Sequence, residues 1–273
     1  RVILGTRNPL AAMAFDERME GFLPQLGQDM DLGFMAGYHH GRIEGRADTL
    51  EEFIDLSIRQ HQALTSTNPD LKLHYEYVPM LNGAEEEALL KALVPRFWSF
   101  GINETEIMRV LDAFGFEEQA QEIARAERSF SLYQGALALF REFGLPRLQL
   151  HNLGYYIVLL AKPYPISPEK VRQACLFASA VNGVKARQGG AVPYEAVWEM
   201  IDEPLSDIGL SQLEAFAAEA ISAGFPIASD FVNTRIMEKD DHTMILVPAH
   251  VVPNPVSTVG IGDTISSSAF AAE

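Results

Sequence analysis

Short apolar runs alternate along this chain with longer stretches in which apolar residues recur at helical spacing. The runs have the length and composition of buried strands. They lie at 2–5, 71–78, 97–102, 147–151, 156–161, 231–237 and 243–247. The periodic stretches predict helices at 49–64, 84–93, 104–114, 131–143, 167–182 and 211–224, and a last helix beginning near Gly262.

This order of elements predicts an α/β fold. Strands alternating with helices indicate a mostly parallel central sheet with helices on both faces. Two hairpin-like strand pairs indicate antiparallel strands at one edge. We expect a single domain over 1–273, the larger C-terminal part of a longer protein, because residues 2–5 already read as a buried strand.

Composition narrows the class of protein. The net charge of −16 and the pI near 4.8 disfavour partners such as nucleic acid and anionic membrane surfaces. No apolar run approaches the roughly 20 residues of a membrane span. The single cysteine, Cys175, excludes a disulfide framework and a multi-cysteine zinc site, and its apolar surroundings predict a buried thiol. A soluble, cytoplasmic protein is expected.

The segment 254–270 has the clearest chemical character. Its glycines allow the backbone to approach a ligand closely, and a helix follows. The amides of Gly260, Ile261 and Gly262 would form an anion hole for a phosphoryl group. The Asp263 carboxylate would then accept a proton from an attacking hydroxyl. The alternative is a simple turn in which Asp263 caps the helix.

Two further pairs of polar residues follow strands or lie on them. Asn103 and Glu106 stand three positions apart at a helix start, where a carboxylate can hold magnesium. A solvated acid favoured by the helix dipole is the alternative. His74 and Glu76 share one face of a strand and could order a metal's water shell. Their alternative is an edge strand with a solvated polar face.

The loop 251–256, which includes Val252, carries two prolines just before the glycine segment. A rigid apolar loop suits one face of an adenine ring. Ser257 and Thr258 could bond phosphate oxygens or only cap the turn.

Several segments together resemble one known family. They are 36–39, 74–76, 99–107, 151–156 and 257–270, in the family's order. The chain is similar to the ADP-dependent glucokinase and phosphofructokinase family of the ribokinase-like superfamily. The resemblance implies a base role for Asp263, a magnesium role for Glu106, and a nucleotide base near His151 and Tyr155. It also implies that an N-terminal portion and most of a lid lie outside this chain.

The implied activity is that of a magnesium-dependent sugar kinase of glycolysis. ADP would donate its β-phosphoryl group to a sugar hydroxyl and leave as AMP. The segment 260–268 favours glucose slightly over fructose 6-phosphate as the acceptor. Two alternatives stay open: an ATP-using ribokinase-like kinase, and a non-catalytic nucleotide-binding protein. The sugar-contacting residues and the oligomeric state are not read from the sequence.

Overall fold

The structure, a computed structural model, describes residues 14–80 and 82–273. Its contacts divide the chain into two compact units, Arg1–Trp98 and Ser99–Glu273. The predicted strand at 2–5 lies outside the described residues. The single domain over 1–273 stays a prediction.

The first unit pairs two parallel strands with helices. Its helices are α1 (Glu17–Glu20), α2 (Leu23–Gln28), α3 (Leu50–Thr65) and α4 (Gly83–Leu93), with short 3-10 turns at Tyr38–His40 and Val94–Arg96. Strand β1 (Leu32–Met35) pairs in parallel with β2 (Lys72–Glu76). The predicted capping box at the start of α3 is confirmed, since Thr49 and Glu52 cap each other's backbone N–H groups.

The second unit holds the remaining strands and helices. Its strands are β3 (Ser99–Asn103), β4 (Arg147–His151), β5 (Tyr155–Ala161), β6 (Ile236–Glu238) and β7 (His242–Pro248). Its helices are α5 (Glu104–Ala113), α6 (Glu117–Arg125), α7 (Ser129–Phe143), α8 (Pro168–Gln188), α9 (Tyr194–Ile201), α10 (Asp207–Ser222), α11 (Phe231–Thr234) and α12 (Ile261–Ala272).

The strands of this unit lie in the order β3-β4-β5-β7-β6. β3 and β4 run parallel, and Asn103 stands opposite His151 at their carboxyl ends. The other three pairings are antiparallel. The α/β class and the antiparallel edge are therefore confirmed, and within this unit the antiparallel part is larger than predicted, so that its sheet is mixed.

Helices cover both faces of this sheet. β4 and β7 are buried along their whole length, and β5 along all but its last residue. On one face Tyr156, Val158 and Leu160 pack against α8 and α12. On the other face α7 and α10 contact β5 and β7. Cys175 is buried in the first of these layers, and burial raises the pKa of its thiol to about 12, as an inert thiol requires.

Two predicted elements differ from the structure. The helix predicted at 167–182 continues to Gln188 and ends at Gly189, whose positive φ of 76° closes it. Gly183 lies inside this helix and packs directly on Met200, where a β-carbon would lie 2.9 Å from the sulfur. The strand predicted at 231–237 begins instead as the turn α11, and only β6 is extended. Among the described residues, no helix combines the length and apolar character that crossing a membrane requires.

Candidate active site

The end of β3 and the start of α5 form one side of the site. Asn103 is the N-cap of α5, and its Oδ1 accepts hydrogen bonds from the backbone N–H groups of Thr105 at 2.9 Å and Glu106 at 2.8 Å. In return, Glu106 Oε2 accepts from the Asn103 backbone N–H at 3.1 Å. This reciprocal cap holds Glu106 at the carboxyl end of β3 and leaves its second oxygen for another partner.

Glu106 sits in an electrostatic environment that favours an arriving cation. Burial raises the pKa of Glu106 to about 7, although the hydrogen bond from the Asn103 backbone N–H lowers it. The neighbouring carboxyl groups of Glu104 and Asp263 raise this pKa further. A buried carboxyl with nearby negative groups is stabilised in its charged form by a divalent cation. Glu106 therefore fits the role of a magnesium ligand better than that of a solvated acid.

The start of α12 forms the opposite side. Gly260 is its N-cap and has a positive φ of 66°, a conformation that glycine adopts without strain. The Gly260 carbonyl accepts the Thr264 N–H at 3.1 Å, which closes the first turn. The N–H groups of Ile261, Gly262 and Asp263 belong to that turn and have no carbonyl within the helix to bond. Such a helix start can accept an anion. The predicted anion hole, which also includes the Gly260 amide, stays a prediction.

His151 brings these two sides together. It ends β4 beside Asn103, and its imidazole packs on Gly262, where a β-carbon would lie only 2.9 Å from Nε2. His151 is buried, and burial lowers its pKa to about 4, so the ring is neutral at physiological pH. Its Nδ1 has no hydrogen-bond partner among residues 14–80 and 82–273. Gly262 thus allows the start of α12 to lie directly over the end of β4.

Asp263 is exposed at this junction. Its carboxylate lies in the first turn of α12 and interacts electrostatically with Glu106. Its backbone carbonyl, by contrast, accepts a hydrogen bond from the Ser267 hydroxyl at 2.6 Å. Since the N-cap is Gly260, the capping alternative for Asp263 does not describe this helix. The structure leaves the carboxylate free to meet a ligand beside the helix start.

A lysine that the sequence did not single out reaches the same turn. Lys185, in the last turn of α8, donates from Nζ to Thr264 Oγ1 at 2.6 Å and to the Gly260 carbonyl at 3.1 Å. Because the predicted helix ended at Asn182, Lys185 fell outside it and no face could be assigned to this residue. Had the predicted helix been extended by about one and a half turns, it would have included Lys185 in its last turn.

The residues proposed for the nucleotide base differ in their surroundings. Tyr155 is buried at the start of β5, and burial, followed by the carboxylates of Glu127 and Glu104, raises its pKa. Val252 packs against a small core between α8 and α9. Ser257 Oγ accepts the Val259 N–H at 3.2 Å, which is the turn-capping alternative. Thr258 is exposed. Their nucleotide roles stay predictions.

His74 and Glu76 belong to the first unit. Both are buried in β2, and His74 Nε2 lies 2.9 Å from Glu76 Oε2. The His74 ring also stacks on Phe34 with centroids 4.8 Å apart. A solvated polar face, the alternative considered for this strand, does not describe the pair. Their place in a metal's water shell stays a prediction.

No group of three or more His, Cys, Asp or Glu side chains converges as a metal site within residues 14–80 and 82–273. Magnesium differs from zinc here, because it is held by one or two carboxylates together with waters and phosphate oxygens. The partly buried carboxylate of Glu106, with the amide of Asn103 beside it, is compatible with such a site.

Comparison with known proteins identifies the family of this chain. A sequence model described as the ADP-specific phosphofructokinase/glucokinase conserved region matches residues 1–272. The chain belongs to this family. The α/β fold is accordingly ribokinase-like, as predicted.

Individual relatives agree with the family assignment. An ADP-specific phosphofructokinase from Methanosarcina acetivorans is 30% identical over 280 residues, which cover 100% of this chain and 56% of the relative. An ADP-dependent glucose/glucosamine kinase from Pyrococcus furiosus is 30% identical over 207 residues, which cover 75% of this chain and 42% of that kinase. The chain thus spans a little over half the length of the phosphofructokinases that it matches.

Among solved structures, an ADP-dependent kinase in complex with fructose-6-phosphate and ADPβS has a TM-score of 0.90 to this chain. Its sequence is 32% identical, and the match covers 97% of this chain and 58% of that one.

Proposed function

We propose that this protein is an ADP-dependent sugar kinase, which transfers the β-phosphoryl group of ADP to a sugar hydroxyl and releases AMP. The observation that carries the proposal is the exposed Asp263 carboxylate in the first turn of α12, beside Glu106 and the uncapped amides of that turn. A base next to an anion-binding helix start is what phosphoryl transfer requires of a protein.

In this mechanism the sugar hydroxyl attacks the β-phosphorus of ADP. A bond forms between the sugar oxygen and phosphorus, and the bond from phosphorus to the bridging oxygen breaks. Its electron pair leaves with AMP, while the hydroxyl proton passes to Asp263. The N–H groups of Ile261, Gly262 and Asp263 hold the charge on the moving group.

Magnesium is the expected metal of this reaction. Glu106 and Asn103 would hold it. When bound, the metal supplies positive charge that neutralises the phosphate oxygens. The pKa of about 7 for Glu106 supports this assignment, because a cation nearby would favour the charged carboxylate.

The nucleotide base would lie against the loop 251–256 with Val252, near His151 and Tyr155, while Ser257 and Thr258 approach the phosphates. A neutral, buried His151 offers one unpartnered nitrogen for such a contact.

Fructose 6-phosphate is the acceptor that we infer, in place of the glucose that the segment 260–268 favoured. The phosphofructokinase from Methanosarcina acetivorans matches along the whole chain, and the glucose/glucosamine kinase along 75% of it. We place the activity in the cytoplasm, where a thiol such as Cys175 stays reduced.

The test is turnover by the complete gene product with fructose 6-phosphate or glucose, with ADP or ATP as donor. We expect AMP to form from ADP, with fructose 6-phosphate as the better acceptor. Turnover with ATP but not with ADP would reject ADP as the phosphoryl donor. Nucleotide binding without turnover of any sugar would favour a non-catalytic protein.

The Asp263→Asn variant tests the base. We expect kcat to fall by about 10²- to 10⁴-fold, while ADP affinity measured by calorimetry persists. Asp207→Asn is the matched control, because Asp207 is also exposed in the first turn of a helix, α10. Turnover of Asp263→Asn at the level of that control would overturn the assignment.

A further inference from the structure

The Lys185 side chain reaches the start of α12 from a different helix. Its ammonium group donates to the Gly260 carbonyl and to Thr264 Oγ1, and the Thr264 hydroxyl itself donates to the same carbonyl at 2.7 Å. A lysine ammonium carries three donors. Two of them are used in these bonds, so that one N–H is available for a ligand.

The space beside Gly260 lies between this ammonium and the Asp263 carboxylate. A β-carbon built on Gly260 would stand 3.2 Å from Lys185 Nζ and 3.8 Å from Asp263 Oδ2. Lys185 Nζ and Asp263 Oδ2 therefore both face the side of Gly260 on which another residue would carry its side chain. A ligand oxygen that approaches this side of the helix start would meet a cation and the base.

The charges at this point favour an anion. The start of a helix carries partial positive charge, and a cation beside it is unfavourable unless negative charge lies near both. The Asp263 carboxylate supplies one negative charge here, and a bound anion would supply more. Lys185 brings its ammonium to this place although the last turn of α8, which it belongs to, offers carbonyl groups that suit a cation. A bound phosphoryl group would stabilise both the helix start and the lysine.

We propose that Lys185 binds the phosphoryl group that is transferred, as counter-charge opposite Asp263. The inference rests on the proposed function and adds a residue to its site. Lys185 contacts the β-phosphoryl group of ADP before transfer and keeps contact as its bond to AMP breaks and the bond to the sugar oxygen forms. It also holds Gly260 and Thr264 in the geometry of the turn.

A structural tether between α8 and α12 is the competing explanation, and a series of nucleotides separates the two. ADP carries the β-phosphoryl group, whereas AMP and adenosine lack it. For Lys185→Gln in the complete gene product, we expect calorimetry with Mg²⁺ to show ADP affinity reduced about 10-fold or more. The affinities for AMP and adenosine should change less than about threefold. Lys185→Arg should restore most of the ADP affinity and of kcat.

Two variants serve as controls. Arg187→Gln removes a positive charge from the same helix end, but Arg187 is exposed and pairs with Glu203 at 2.7 Å, so ADP affinity should stay as in the wild type. Thr264→Val removes one tether bond and keeps the ammonium, so the preference for ADP over AMP should persist.

Equal losses of ADP, AMP and adenosine affinity in Lys185→Gln, together with a lower melting temperature, would show a tether and overturn the proposal. Wild-type ADP affinity and turnover in Lys185→Gln would overturn it as well, while leaving the kinase function intact. A wild-type protein that neither binds ADP nor turns it over would instead reject the proposed function itself.

Discussion

At the scale of single residues, the site depends on how closely two backbones approach. His151 and Gly262 are in contact only because position 262 has no β-carbon. The φ of Gly262 does not lie in the left-handed region, unlike that of Gly260. The requirement for glycine at position 262 is therefore steric.

Gly262→Ala tests this requirement. An added methyl group would lie 2.9 Å from His151 Nε2, and overpacking of this kind costs about 1–3 kcal/mol. We expect urea unfolding to show that loss, and ADP affinity to fall with it. Gly190→Ala is the control, because nothing lies within 4 Å of that position.

Repeating Gly262→Ala in a His151→Ala background tests whether the contact with His151 causes the loss of stability. With the ring removed, the cost of Gly262→Ala should shrink, and a double-mutant cycle measures the difference. An unchanged cost in that background would mean that the contact is not the cause.

Glu106 gives the molecule a dependence on pH. Its native pKa of about 7 lies above the ordinary value of 4.5. Between these values the folded protein holds a proton that the unfolded chain has lost, so the free energy of unfolding falls as pH rises through this range. Well above pH 7, and without a bound cation, Glu106 is fully charged in the folded protein, where burial makes that charge unfavourable.

Glu106→Gln should remove this dependence and keep the cap, since glutamine also serves at this position of a capping box. We expect the variant to be more stable than the wild type by about 1–2 kcal/mol at pH 8, and by much less at pH 5. Urea unfolding at both pH values measures it. Asp112→Asn, an exposed change on the same helix, should leave the pH dependence as it is. A parallel shift at both pH values would contradict the role of burial.

At the scale of secondary structure, α12 is held at both ends. Its start meets Lys185, and beyond its end Glu273 accepts a hydrogen bond from Arg147 Nε of β4 at 2.7 Å. Arg147 is fully buried and also bonds Ser99 and Gln149. A helix that presents the proposed base needs such a fixed position relative to the sheet.

Arg147→Met should leave the Glu273 carboxylate buried without its cationic partner, although the Tyr164 hydroxyl still donates to it at 3.1 Å. Removing one partner of a buried ion pair costs about 3–5 kcal/mol, whereas replacing both is often close to neutral. We therefore expect a large loss of stability in urea unfolding for the single variant, and recovery of most of it in Arg147→Met/Glu273→Met. A double variant as unstable as the single one would indicate that lost packing, and not the unpaired charge, is responsible.

At the scale of the whole molecule, a net charge of −16 opposes the binding of an anionic nucleotide. The proposed site would overcome this field locally, with one lysine and the oriented amides of a helix start. Such groups act within a few ångströms, where screening by water and salt is weakest. The negative net charge therefore disfavours nucleic acid as a partner, but it does not exclude the binding of a single nucleotide.

Features formed by residues that lie close along the chain could be predicted from the sequence. The helix starts after Asn103 and at the glycine segment before α12 were predicted correctly as local structure, as were most strands and helices, although the strand at 231–237 was not. Each follows from hydrophobic period or from a cap that neighbours satisfy. The segments that resemble the family are likewise short and local.

Which distant groups meet depends on tertiary packing and could not be predicted from local sequence. Lys185 bonds a carbonyl 75 residues further along, His151 packs on Gly262, and Arg147 pairs with Glu273. The raised pKa of Glu106 also arises from burial, which the local sequence does not specify. These contacts follow from the packing of helices on a sheet, where small differences in helix length and in close backbone approach select the partners.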